Sequence, residues 1–295
     1  MASEGHGKAN TAELIAHYRS VASSDPILSE ICKDPYAKFF CGKGSELAAS
    51  LNTSKGSIVD MNVWVAVRTA FFDRIVSLSI ESGVKQVVLL GAGFDTRSNR
   101  LASSGVVFFE VDNPLVQQVK IQSCNKVAVQ VPSFNPSASV YVPCDFEKEN
   151  FCDCLLKKQF QIDAPTLFIW EGVIYYLSEA AARATLKSIS SICSHNSKSL
   201  LAFDYFSKTS VFGGPSKGSQ DVLKGEGEPM LFGMNHVLPV LFDTGYSFVV
   251  HHDFDELAAN YLKQHVYSRM HKFQSVAVCA PRPPLHSWLK LWCKM

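Results

Sequence analysis

Between residues 57 and 82 the apolar positions of SIVDMNVWVAVRTAFFDRIVSLSIES recur at helical spacing for about seven turns and stop at Gly83. This pattern predicts one long helix closed by a glycine cap. The period then changes. QVVLL (86–90), VVFFEVD (106–112), SVYVPCD (139–145), TLFIWEG (166–172) and SLLAFDY (199–205) are short β-branched or aromatic runs, separated by stretches of helical character at 114–127, 147–159 and 178–193. Continuous apolar strands alternating with helices predict an α/β fold, a parallel sheet covered on both faces. YSFVVHHDF (246–254) and QSVAVCAP (274–281) flank a helical stretch at 255–269 and are expected to complete the sheet as a hairpin-like pair. Ahead of the sheet, residues 11–24 read as an amphipathic helix closed by SSDP, and a short element after Asp34-Pro35 carries Tyr36, Phe39 and Phe40. The expected organisation is a helical cap over 1–56 and a sheet domain over 57–295. Residues 207–235, rich in glycine and too long for an ordinary connection before a helix near 236–244, are expected to form a lid.

Composition narrows the partners. With 295 residues, 47% of them hydrophobic, the chain can bury a large core. Lys and Arg total 28 against 27 Asp and Glu, so no field draws it toward nucleic acid or an anionic membrane. MASEGHGKANTAEL has no apolar leader core, and no run reaches the ~18 uncharged apolar residues of a membrane span, so a cytoplasmic protein is expected. Nine cysteines (32, 41, 124, 144, 152, 154, 193, 279 and 293) form no C-x-x-C pair and read as reduced thiols, with no metal expected. His251 and His252, adjacent on a strand, face opposite sides and make a poor metal pair.

In open α/β sheets ligands bind beyond the carboxyl ends of the strands. The first strand ends in Gly91-Ala92-Gly93-Phe94-Asp95, the second in Glu110-Val111-Asp112, the third in Cys144-Asp145 and the fourth in Glu171-Gly172. Gly91 and Gly93 permit a tight turn and close backbone approach, but a third glycine for a pyrophosphate is missing. Asp112 lies about 20 residues beyond the glycines, the distance at which an acid reaches a ribose. Carboxylates on four strand ends would repel a pyrophosphate, yet they suit the ribose, adenine and ammonium of S-adenosyl-L-methionine, which carries no phosphate. Arg68, in an apolar stretch of the long helix, needs a partner. That partner is either the donor's carboxylate or a salt bridge to Asp73 or Asp95, while Arg97 can hold the turn through Asp95.

VAVRTAFFDRIV, QVVLLGAGFDTRSNRL, FFEVDNPLVQQVK, YVPCDF and FIWEGVIYYLSEAAARATLKSI, in that order and spacing, resemble the leucine carboxyl methyltransferase family, in particular its branch of small bacterial-type and plant O-methyltransferases. The resemblance covers about residues 11–280. It implies a class I methyltransferase (Rossmann-like) sheet of order 3-2-1-4-5-7-6. It also implies donor contacts from Arg68 to the carboxylate, from Gly91 to the amino acid moiety, from Asp112 to the ribose, from Asp145 near the adenine, and from Glu171 near the ammonium; Gly93, Asp95 and Phe146 are further donor-binding candidates. DPYAKFF and GEGEPMLFGM resemble the family's entry helix and lid. The founding members methylate the C-terminal leucine carboxylate of a protein phosphatase, and other relatives act on polyketide carboxylates or hydroxyls.

The expected reaction is therefore S-adenosylmethionine-dependent O-methylation of a small molecule, a carboxylate first, with S-adenosyl-L-homocysteine as product and the chain a monomer or homodimer. Methyl transfer requires donor and acceptor oxygen held at near-attack distance in a dry site. Arg19, Tyr175, Tyr176 and Tyr205 are candidates to orient a carboxylate, and His236 is the candidate base for a hydroxyl. A nicotinamide oxidoreductase would share the sheet and Asp112 but lacks its third glycine. A silent member that only binds the donor would keep the turn and lose the acceptor pocket.

Overall fold

The computed structural model describes residues 2–53, 61–212, 221, 223–225, 227–262 and 274–283. The apolar runs pair into one seven-stranded sheet of order β3-β2-β1-β4-β5-β7-β6. The strands are β1 (Gln86–Leu90), β2 (Val107–Asp112), β3 (Ser139–Pro143), β4 (Thr166–Trp170), β5 (Leu200–Phe206), β6 (Phe248–Asp253) and β7 (Gln274–Ala280). The first five are parallel, and β7 inserts antiparallel between β5 and β6. The order expected from the resemblance is the order observed. Strands β1, β4 and β5 are buried along their whole length, which is why they read as continuous apolar runs rather than alternating ones.

Helix α1 (Ala2–Ser24) begins earlier than its amphipathic pattern suggests, because residues 2–10 carry few large apolar side chains. Helix α2 (Gly44–Thr53) is not foreseen at all, and both pack together over one end of the sheet. The long helix α3 (Met61–Glu81) has buried residues around most of its circumference, Val63 to Phe72 without a break, as befits a helix between α1 and the sheet. The remaining helices are α4 (Arg97–Arg100), α5 (Pro114–Gln130), α6 (Phe151–Leu156), α7 (Glu179–Cys193), α8 (Lys208–Phe212), α9 (Val237–Asp243) and α10 (Phe254–Leu262). Three of them start on an Asx or Ser cap: the side chains of Asn113, Asn150 and Ser178 accept from Leu115, Cys152 and Ala181 N–H. Of the expected lid, residues 213–220, 222 and 226 lie outside the described residues, as does the end of the helix expected to reach 269.

Candidate active site

The strand order reverses at β1, between β2 and β4, and a cavity of about 290 Å³ opens beyond the carboxyl ends of these strands. Its floor is Leu89 to Asp95 from β1 and its turn, Asp112 and Asn113 after β2, Cys144 to Glu147 after β3, and Ile169 and Glu171 to Val173 after β4. Helix α1 roofs it with Thr11, Ala12, Ile15 and Arg19, which share one helical face, and Gly227 to Met230 close it from the expected lid. Those last residues are clasped in place. The Thr11 hydroxyl donates to Glu228, and Leu231 and Phe232 N–H donate to the Tyr175 carbonyl at 2.6 and 3.2 Å.

The glycine turn folds back on β2. Gly91 N–H donates to the Val111 carbonyl at 2.7 Å with φ at +66°, and a side chain there would strike Val173 Cγ2 at 2.3 Å. Gly93 N–H donates to Asp112 Oδ2 at 2.5 Å, and Asn113 N–H donates to Oδ1 at 2.6 Å. Burial nevertheless dominates at Asp112 and lifts its carboxyl to about 6. Asp95 is held the other way: burial would raise it, but Arg97, Arg19, Lys120 and Arg100 outweigh burial and bring it to about 2. Asp95 accepts from both the backbone and the guanidinium of Arg97, so Arg97 does hold the turn.

Arg68 reaches the wall of the cavity with its guanidinium committed to protein partners. Nε pairs with Glu171 at 2.9 Å, Nη1 with Asp204 at 3.3 Å, the Tyr175 hydroxyl hydrogen-bonds it, and the group stacks over Trp64 at 3.9 Å. Burial disfavours its charge, yet the Glu171 and Asp204 carboxylates raise its pKa above the ordinary arginine value. The anticipated partners Asp73 and Asp95 are taken by Arg97 and Arg100 instead. Glu171 also bonds Arg97 at 2.7 Å, so it bridges the two guanidiniums. Arg19 likewise faces the cavity while paired with Asp34 at 2.9 Å and donating to the Phe94 carbonyl. Asp145 and Phe146 line the cavity on the β3 side, where Lys148 pairs with Asp145 at 2.8 Å.

The remaining candidates divide. Tyr175 and Tyr176 line the cavity, ring against ring at 4.7 Å, and burial raises both hydroxyls far above the usual phenol range. Tyr205 does not line it: one residue along β5 from Asp204 it faces the other side of the sheet, and its hydroxyl bonds Ser275 across β7. His236 does not line it either, being exposed at the N-cap of α9. Asp204 itself was missed, although the run SLLAFDY, like the four before it, carries an acid near its carboxyl end. Nothing in the sequence signals Glu228 beyond its place in GEGEPM.

Comparison with known proteins follows this geometry. Residues 12–190, more than half of the chain, match the leucine carboxyl methyltransferase family. A provisionally named S-adenosyl-L-methionine-dependent methyltransferase of Mycolicibacterium gilvum is 32% identical over 209 residues, which cover 66% of this chain and 65% of that one. Another from Mycobacteroides abscessus is 29% identical over 199 residues, 64% of each chain. The match thus spans just under two thirds of the length of either relative. A DUF574 family protein from Streptomyces avermitilis shares the fold at a TM-score of 0.58 and 13% identity, over 92% of this chain and 97% of that one. So does a provisionally named methyltransferase from Thermobifida fusca, at 0.55 and 13% over 90% and 93%. With the glycine turn and the acidic ends of β1 to β4 all inside the matched segment, the chain belongs to the leucine carboxyl methyltransferase family.

Proposed function

We propose that the protein is an S-adenosyl-L-methionine-dependent O-methyltransferase acting on a small, largely apolar acceptor. One observation carries the donor: among the described residues the cavity lining holds six carboxylates, Asp95, Asp112, Asp145, Glu147, Glu171 and Glu228, against two guanidiniums, Arg19 and Arg68. A dinucleotide, with its two phosphate charges, would be repelled there. A donor bearing a sulfonium and an ammonium is attracted, and Asp112, charged above pH about 6, is the acid for its ribose. Bound there, the donor supplies a methyl group activated by its sulfonium; the protein's part is to hold the acceptor oxygen in line and exclude water.

The same cavity is also lined by Leu14, Leu51, Met61, Trp64, Phe206 and Met230, which suit an acceptor with an apolar body. A carboxylate is the first acceptor class, since it needs no base and Tyr175 and Tyr176, which line the cavity, are the candidates to orient it. The ion pairing of Arg19 and Arg68 favours the second reading, a hydroxyl, because neither arginine offers an unpaired charge. The experiment is turnover of methyl-labelled donor with apolar carboxylic acids and phenols. Methyl esters release the label as methanol in alkali, and aryl ethers keep it. Turnover of neither class, with donor bound, would refute catalysis and leave a donor-binding protein.

A further inference from the structure

At the β3 side of the cavity, reaching from Cys144 in its floor, lies a cluster that methyl transfer does not use. The Sγ atoms of Cys144 and Cys154 and a carboxylate oxygen of Glu149 all lie within 4.8 Å of one another, the one such group of three among the described residues. The two thiols are buried in the core, whereas Glu149 is exposed and covers them from the solvent side, with Oε1 4.0 Å from Cys154 Sγ. Glu149 is fixed there, because Asp145 N–H donates to its Oε2 at 3.0 Å and Glu149 N–H donates to the Asp145 carbonyl at 2.8 Å. Asn150 then caps α6, which sets the direction of the helix carrying Cys154.

Two thiols beside a carboxylate are a poor redox nucleophile and a good cation site. A cation placed among the two Sγ atoms and the carboxylate oxygen would meet three donor atoms at once, all within 4.8 Å of one another. Two thiolates and a carboxylate supply three of the four ligands of a tetrahedral ion, leaving the fourth to water. We propose that Cys144, Cys154 and Glu149 bind a thiophilic divalent metal ion of the zinc class. On binding, two S–H bonds break as two metal–sulfur bonds form, both protons pass to solvent, and Glu149 adds an oxygen ligand without proton release. The ion would tie the end of β3 to α6 across the loop whose residues Asp145, Phe146 and Glu147 line the cavity. Its role is to brace that wall. The cysteines stand ten residues apart with the glutamate midway, a spacing no common metal motif announces, so the sequence alone points to no metal.

The test is titration of the reduced, metal-free chain with Cd²⁺, read by sulfur-to-metal charge-transfer absorbance and by proton release. One equivalent of Cd²⁺ should give a saturating band, release two protons and be displaced by Zn²⁺. Cys154→Ala should abolish the band. Glu149→Gln, at an exposed position that leaves the fold intact, should weaken binding at least about tenfold, while Cys152→Ala should bind as the parent does. Absence of a band in the parent chain, or binding unchanged by Cys154→Ala or by Glu149→Gln, would overturn the proposal. So would formation of a Cys144–Cys154 disulfide with hydrogen peroxide, seen as loss of two hydrogens from the intact mass, in a chain that takes up no Cd²⁺.

Discussion

Removing the guanidinium of Arg68 strands Asp204. In the intact chain Arg68 is 2% exposed and Asp204 1%. Asp204 accepts from Gly172 N–H at 2.6 Å and Gln274 Nε2 at 2.9 Å besides its pair with Arg68. Glu171 keeps Arg97 when Arg68 is lost, so the penalty falls on Asp204, which keeps two hydrogen bonds but no countercharge. Breaking one partner of a buried pair costs about 3–5 kcal/mol, and loss of the stacking on Trp64 adds up to about 2 kcal/mol. The two remaining hydrogen bonds to Asp204 place the expected total for Arg68→Ala near the lower bound, about 3–4 kcal/mol, a large share of the ~5–15 kcal/mol that holds a typical domain. The pH dependence has a definite sign. Burial already raises the Asp204 pKa, and removing Arg68 raises it further. An acid whose folded pKa exceeds its unfolded one takes up its proton in the folded state first, so its penalty is present at pH 7 and shrinks as pH falls, by at most about 1.4 kcal/mol per unit. Urea unfolding of the parent and Arg68→Ala at pH 7 and pH 5 measures both effects, and adding Asp204→Asn should restore most of the loss. A deficit under about 1 kcal/mol at pH 7, the size of a surface pair, or one that neither low pH nor Asp204→Asn relieves, would refute the reasoning.

Other outcomes follow from the same geometry. Affinity for S-adenosyl-L-homocysteine should be constant above pH about 6 and fall below it as Asp112 takes up a proton, a dependence that calorimetry at several pH values should find absent in Asp112→Asn. Gly91→Ala should destabilise the chain by more than the ~1–2 kcal/mol of a left-handed backbone, because of the Val173 contact, and Val173→Ala in the same chain should recover only the contact part in thermal unfolding. Lys120→Met leaves Glu110 buried with only the Ser98 and Ser139 hydroxyls, so a loss of about 3 kcal/mol or more is expected in urea. Thr11→Val removes the clasp on Glu228 and should raise the KM for the acceptor more than it changes donor affinity, as steady-state kinetics and calorimetry together would reveal.

The strands were legible to within two residues at either end because each is a short β-branched or aromatic run, and β1, β4 and β5 are buried along their whole length. β6 is the least buried, and its reading rests on its place with β7 on either side of the helical stretch at 255–269. Helix α2 escaped because GSELAASLNT has a weak apolar stripe and lies between turns, and α4 because it is a single turn built on the charges of RSNR. The acidic strand ends were readable since β-strand direction alone places them beyond the sheet; Asp95, Asp112, Asp145 and Glu171 all reach the cavity. What spacing could not give is pairing. Whether Arg68 meets a ligand or Glu171 and Asp204 depends on the crossing of α3 over β4 and β5, and whether Tyr205 faces the cavity depends on the pleat of β5. His236 looked promising only because it follows the lid, and in three dimensions the chain has left the cavity by then.

A calorimetric titration of the purified chain with S-adenosyl-L-methionine, S-adenosyl-L-homocysteine and NAD, alongside Asp112→Ala, decides what the acidic cavity is for. Saturable binding of both adenosyl ligands, none of NAD, and at least about tenfold weaker binding in Asp112→Ala is the predicted result. Binding of NAD, or no heat with either adenosyl ligand from a folded chain, would contradict it.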